Sequence, residues 1–151
     1  MGDIRCKSDL NNHLQVEILA KKCHYVNTFS QFCMNVKKLT INDKSFPPGL
    51  KRISSVPKEL YYLGADPSEW SNQPTVAVVG TRAVTTYGRQ VTEQLVTELC
   101  KRGVHIVSGL ALGVDTIAHT AAVKAGGSHI AVLAHGLDQI HPSSNTELAK
   151  N

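Results

Sequence analysis

The chain has 151 residues, 42% of them apolar and 5% aromatic, enough for one globular core with an appendage. Its net charge of +4 is uneven, with ten Lys or Arg against seven Asp or Glu in residues 1–74 and six against five in 75–151; this excludes a broadly basic face from the C-terminal part. No apolar run reaches the roughly 18 residues of a membrane span, Met1-Gly2-Asp3 opens no signal peptide, and Cys6, Cys23, Cys33 and Cys100 have no Cys-x-x-Cys spacing, so a cytoplasmic protein with reduced thiols is expected.

Residues 1–33 carry no motif, repeat or clear cap. His13 to Lys22 reads as a short helix through Leu14, Ile18 and Leu19. Met34-Asn35-Val36-Lys37-Lys38-Leu39-Thr40 resembles an ordinary bacterial protein start, which makes 1–33 an uncertain extension and Met34 an alternative first residue. A peptide from residues 3–33 in the native protein, seen by mass spectrometry, refutes that start.

Residues 34–74 form a lead-in segment expected to pack against the first strand of the domain that follows. Its tract from Asn42 to Pro57 is rich in turn chemistry, because prolines fix φ and Gly49 releases the chain. Leu60-Tyr61-Tyr62-Leu63 is a short strand-like run, and Asp66-Pro67-Ser68-Glu69 a turn or helix start. Lys51, Arg52 and Lys58 either lend charge to a ligand crevice or are ordinary solvated side chains.

Residues 75–151 hold the organising pattern. Val76-Ala77-Val78-Val79 is an unbroken apolar run, the mark of a strand buried on both faces, and Gly80 ends it. A helix follows from about Tyr87 to Arg102, with Val91, Leu95, Val96 and Leu99 on one stripe. Gly103 stops it, and Glu98 and Arg102 stand in the favoured i,i+4 order. Val104 to Val107 is a second buried strand, ending in Ser108-Gly109. Asp115 to Ala125 is an alanine-rich helix stopped by Gly126-Gly127, and His129 to Ala134 is a third strand. After a turn at Gly136-Leu137-Asp138, Ser143 or Ser144 caps a last helix, with Glu147 as the capping-box partner of Ser144.

The fold class is α/β: a partial Rossmann-like, doubly wound parallel sheet of about three core strands with flanking helices. Three strands are only half of such a sheet. The Val76–Val79 strand is expected at its edge, where a bare apolar strand invites association. Another chain covers it or the chain is truncated, and truncation is the favoured reading.

The ligand-facing crevice of an open α/β sheet lies at the carboxyl ends of its strands. Gly80-Thr81-Arg82-Ala83-Val84-Thr85-Thr86-Tyr87-Gly88 is not Gly-x-Gly-x-x-Gly, no ribose-binding carboxylate follows the second strand, and no Gly-Lys-Ser/Thr occurs. No nucleotide cofactor is therefore expected. What remains is a pair of anion cradles. Gly80 lets amides approach closely, the Thr81 hydroxyl donates, and Arg82 offers a planar fork matched to phosphate. Ser108, Gly109 and Gly113 form a second small-residue turn opening onto a helix N-terminus; the alternative is that these glycines only permit tight turns. Asp115 and His119 lack a third ligand, so no metal is expected. Asp115 reads as a first-turn residue favoured by the helix dipole, with His119 as its structural partner. No nucleophile and base have a credible orienting group, so no catalytic residue is assigned. His135 and His141 suggest ligand contact or base stacking.

Val79-Gly80-Thr81-Arg82, then Ser108-Gly109-Leu110-Ala111-Leu112-Gly113-Val114-Asp115 with Ala118-His119, then Gly136-Leu137-Asp138 and Pro142 before Asn145 together resemble the DNA-processing protein A (DprA/Smf) family. The resemblance covers roughly residues 44–151, and its long second motif is the specific one. It implies an extended Rossmann-like domain that binds single-stranded DNA and loads a RecA-type recombinase during natural transformation. It also implies homodimerisation in the full-length protein. Carried over, Arg82 and the Ser108-Gly109 turn contact DNA phosphates, with the loop from Gly136 to Pro142 nearby. His141 stands where the family usually has Tyr.

The alternative from another class is a nucleoside-monophosphate phosphoribohydrolase of the lysine-decarboxylase-like (LOG) group, similar at the first strand end. That group requires a Pro-Gly-Gly-x-Gly-Thr-x-x-x-Glu stretch, which these residues lack.

Overall fold

The computed structural model describes residues 16–20, 36–137 and 139–150. Its elements are β1 (Val16–Ala20), β2 (Lys37–Thr40), β3 (Glu59–Leu63), α1 (Pro67–Trp70), β4 (Thr75–Ala77), α2 (Thr86–Lys101), β5 (His105–Ser108), α3 (Val114–Lys124) and β6 (His129–Leu133). The strands form one sheet in the order β2-β3-β1-β6-β5-β4. Strands β1, β6, β5 and β4 run parallel, and β3 is antiparallel to both β1 and β2.

The three expected parallel strands are present, joined by the two expected helices. Each boundary lies within two residues of its sequence-based position, where helix and strand ends are soft in any case. Thr85 caps α2 by accepting from the Gly88 amide, and Gly103 follows its end at φ 72°. Helix α1 begins with a full capping box between Asp66 and Glu69.

Successive residues of a strand point to opposite faces, and β5 divides the core accordingly. Ile106 packs with Val96 of α2 and Ala118, Ala121 and Ala122 of α3. Val107 faces the other side, where Leu39, Phe46, Leu60, Tyr62 and Trp70 cluster with Ile130 of β6. A third cluster joins Leu110, Ala131, Leu133, Leu137, Ile140 and Ala149, covering the region beyond α3 with the C-terminal segment.

Four expectations are corrected. The short helix over 13–22 does not form across 16–20. Those residues make β1, whose backbone is hydrogen-bonded on one side to β3 and on the other to β6. Pairing on both edges outweighs a weak helical spacing. The lead-in segment does not pack against the first parallel strand. It supplies β2 and β3 at the opposite end of the sheet, and its aromatic cluster rests on β6.

The third correction concerns β4, which is at the edge as expected but is not buried on both faces. Val76 is 36% and Val79 75% exposed, because nothing among the described residues pairs beyond them. The last helix is the fourth. Ser143–Asn145 is a single 3-10 turn whose N-cap is Pro142, without a side-chain cap, and Glu147 forms an ion pair with Lys150.

The α2 stripe divides in the same way as β4. Val96 is fully buried between α3 and β5, while Val91 and Leu95 are 42% and 52% exposed on the side toward solvent. With Tyr87 and the β4 edge they leave apolar surface of the kind that associates. Sedimentation of the 151-residue chain is therefore expected to show concentration-dependent self-association, which Leu95→Lys reduces; a strictly monomeric wild type overturns this.

Candidate functional site

Three loops meet where β4, β5 and β6 end, and they enclose a crevice of about 320 Å³. The first carries Gly80, Thr81 and Arg82, the second runs from Gly109 to Gly113, and the third from Ala134 to Pro142.

The first two loops are locked together. The Val114 amide at the start of α3 donates to the Thr81 carbonyl at 3.1 Å. A Cβ on Gly113 would lie 2.2 Å from that same carbonyl oxygen, and one on Gly80 would lie 2.7 Å from Val114 Cγ2. Both glycines are thus required by close approach of the loops, and Gly113 also by its φ of 85°. The Thr81 hydroxyl accepts from the Ala83 amide at 3.1 Å, shaping the turn that presents Arg82. Arg82 is exposed, lines the crevice and makes no ion pair among the described residues.

The second loop differs from a vacant cradle. Asp115 reaches back so that its Oδ2 accepts from the Gly109 amide at 3.1 Å and the Ala111 amide at 3.3 Å. The protein's own carboxylate occupies the anion position that a helix N-terminus and a small-residue turn create. Ser108 is buried and donates its hydroxyl to the Val78 carbonyl at 2.7 Å, bracing β5 against the end of β4. Arg82 and Gly109 line the crevice, then, while Ser108 and Gly113 support its walls from behind.

In the third loop the His135 ring stands edge-on to His141, with centroids 6.4 Å apart. His135 Nδ1 donates to the Gly136 carbonyl at 2.8 Å, and both rings line the crevice beside Pro142, whose peptide bond with His141 is cis. Asp138 lies outside the described residues. None of Lys51, Arg52 and Lys58 lines the crevice. Lys51 lies over the Phe46 ring, and Lys58 precedes β3, which β1 separates from the crevice strands β6, β5 and β4.

His119 is not the partner of Asp115. Its Nδ1 lies 2.9 Å from Nδ1 of His129, across the α3–β6 packing, and both side chains are fully buried. Burial lowers the His119 pKa to about 4, partly offset by the Ser108 backbone; it lowers His129 to about 3, with His119 adding to the effect. Among the described residues no group of three His, Cys, Asp or Glu is placed to hold a metal ion. No described helix is long and apolar enough to cross a membrane.

The structure adds crevice residues that sequence reasoning passed over. Leu112 and Val132, 48% and 47% exposed, line it with Ala134 and make the walls largely apolar. Each lies in an apolar tract that reads as core, and only the position of Leu112 between Gly109 and Gly113 hinted at an exposed loop tip.

A family model described as DNA recombination-mediator protein A matches residues 37–151. The chain is 40% identical over 114 residues to the DNA processing protein DprA of Bacillus subtilis, covering 76% of this chain and 38% of that protein. To the Streptococcus pneumoniae DprA it is 38% identical over 125 residues, covering 83% of this chain and 42% of the relative. The chain therefore spans about two fifths of the length of these relatives. Among solved structures, DprA from Streptococcus pneumoniae superposes with a TM-score of 0.71 at 38% identity, over 78% of this chain and 40% of that one. DNA processing protein A from Helicobacter pylori, a structure described for its single-stranded DNA binding mode, gives 0.61 at 35% identity over 75% and 49%. The matched residues run through all three crevice loops and most of the sheet that carries them, and by that measure the chain belongs to the family of DNA recombination-mediator protein A, the DprA and Smf proteins.

Proposed function

We propose that the protein binds single-stranded DNA at the crevice, by contact rather than catalysis, and serves to load a RecA-type recombinase in the cytoplasm, as a homodimer in its complete form. The observation that carries the reading is Arg82: an exposed guanidinium with no ion pair among the described residues, lining a largely apolar crevice on a loop braced by Gly113 and Val114. A strand of DNA offers that pairing of chemistries, phosphate for the cation and unstacked base faces for apolar walls and imidazole rings. The Helicobacter pylori relative, whose binding mode is described for single-stranded DNA, supports the assignment. The recombinase and the dimer rest on membership of the family.

The near-neutral charge of this part of the chain makes a single phosphate contact count. In the protein expressed from its own gene, Arg82→Ala is expected to weaken binding of an oligothymidylate roughly ten- to hundredfold at low salt, the loss of one charge-assisted contact. The slope of log affinity against log salt should fall by about 0.7. The exposed position of Arg82 leaves the fold intact. A folded Arg82→Ala protein with unchanged affinity and salt slope overturns the assignment.

A further inference from the structure

The Gly109–Gly113 loop holds a conformation that its residues do not favour. Leu110 has φ 56°, in the left-handed region, where the Cβ of a Leu crowds the following carbonyl. Its side chain is nonetheless fully buried, so the backbone is bent to suit that burial and the loop tip. Three side chains hold the bend. Asp115 takes the amides of Gly109 and Ala111. The carbonyls are taken from the opposite direction, by Asn145. Its Nδ2 donates to the Leu110 carbonyl at 2.8 Å and to the Thr116 hydroxyl at 2.8 Å. Thr116 passes the bond on, donating to the Ala111 carbonyl at 2.7 Å.

Asn145 is 4% exposed and does not line the crevice. It stands in the 3-10 turn that directly follows His141 and Pro142, which do. One side chain therefore ties the second crevice wall to the third, across 35 residues of sequence.

We propose that Asn145, acting through Leu110 and Thr116, is a positioning residue for DNA binding, holding the Gly109–Gly113 wall in register with the His141–Pro142 wall. The proposal rests on the reading of the crevice as the DNA site. Asn145 itself touches no DNA. Its effect is to keep Leu112 and the Gly109 backbone presented, so that no ordering of the loop is required at the moment of binding.

The test uses Asn145→Ala, Asn145→Asp and Thr116→Val in the protein expressed from its own gene. Thr116→Val removes only the relay and is the milder change should Asn145→Ala fail to fold. Two quantities are read on folded protein: amide hydrogen exchange at Gly109–Gly113, and affinity for oligothymidylate with its salt slope. Each variant is expected to exchange faster at those amides and to bind roughly tenfold more weakly, the loss of about one buried hydrogen bond. The salt slope should stay at the wild-type value, since Arg82 keeps its phosphate. Asn145→Ala and Thr116→Val should also be non-additive in the double variant, because they break one relay.

Unchanged exchange in the loop overturns the brace itself, whatever happens to DNA. Faster exchange with unchanged affinity overturns its part in binding. A reduced salt slope overturns the separation from the phosphate contact. A wild type without measurable affinity for single-stranded DNA overturns the proposed function, and the link from Asn145 to DNA with it.

Discussion

Acidification from pH 7 to pH 4 should strip the protein of much of its stability, through two buried histidines that do not line the crevice. His119 and His129 meet through their Nδ1 atoms at 2.9 Å, so one ring donates and the other accepts, and both are neutral. A proton added to the acceptor would set two N–H groups against each other in a site without water-facing surface. Nε2 of His129 has no hydrogen-bond partner among the described residues to share a positive charge, and the Ser108 backbone gives His119 only partial relief. The folded-state pKa values of about 4 and about 3 lie below the ordinary 6.5, with burial as the main cause in both. The unfolded chain therefore binds more protons than the folded one between those limits. Stability is fully present above pH 6.5, falls as the pH drops below it, and continues to fall until the folded-state values are reached. His119 alone accounts for on the order of 3 kcal/mol across that window. His105, lowered by burial as well, acts in the same direction.

Urea denaturation at a series of pH values measures this directly. The midpoint is expected to drop steeply from pH 6.5 to 4, and His129→Thr, which removes one ring and its repulsion, should flatten the curve. A wild-type midpoint that stays level down to pH 4.5 shows that the pair is not held neutral.

Gly113→Ala is the substitution expected to cost most. The new Cβ would sit 2.2 Å from the Thr81 carbonyl oxygen and 2.6 Å from Arg82 Cα, both backbone atoms that no rotamer change can move aside. At φ 85° and ψ −126° the position is also one that only glycine adopts freely. Backbone strain and overpacking together come to roughly 3 to 5 kcal/mol. Gly126→Ala is the control. Its φ is 68°, yet nothing lies within 4 Å of its added Cβ, so about 1 kcal/mol is expected from the conformation alone. Thermal or chemical melting of the two variants separates strain from collision; equal losses would mean that the two loops are not in close contact at Gly113. Any Gly113→Ala protein that does fold should bind DNA poorly, because relief of the collision moves Arg82.

The two parallel crossover units and their glycine-ended strands were readable in the residues. Short, mostly apolar runs ending at Gly, separated by a helix-length stripe at 3.6 spacing, admit few other structures. The crevice followed from strand direction, and Arg82 and Gly109 line it as that geometry requires, while Gly80 packs behind it against Val114. Arg82 stood out for a simple reason: a guanidinium placed directly after an apolar strand has no core to enter.

What the chain could not show locally was decided by partners distant in sequence. Val16–Ala20 is a strand because β3 and β6 lie on either side of it, 39 and more residues away along the chain. Val76–Val79 is as apolar as a buried strand, yet its exposure depends on what lies beyond β4, which its own residues do not encode. The lead-in segment covers β6 and not β4 because its hairpin of β2 and β3 joins the sheet through β1. Most of all, residue identity does not say which way a polar side chain turns. Ser108 looked like a ligand contact and Asp115 like a first-turn residue, but the tertiary structure turns the Ser108 hydroxyl to Val78 and fills the amide cradle with the Asp115 carboxylate. His119 found His129 in place of Asp115 because α3 lies across β6 and places the two rings in one buried layer. Periodicity and chain direction are local properties that a sequence carries by itself; the satisfaction of buried polar groups is a property of the packed whole.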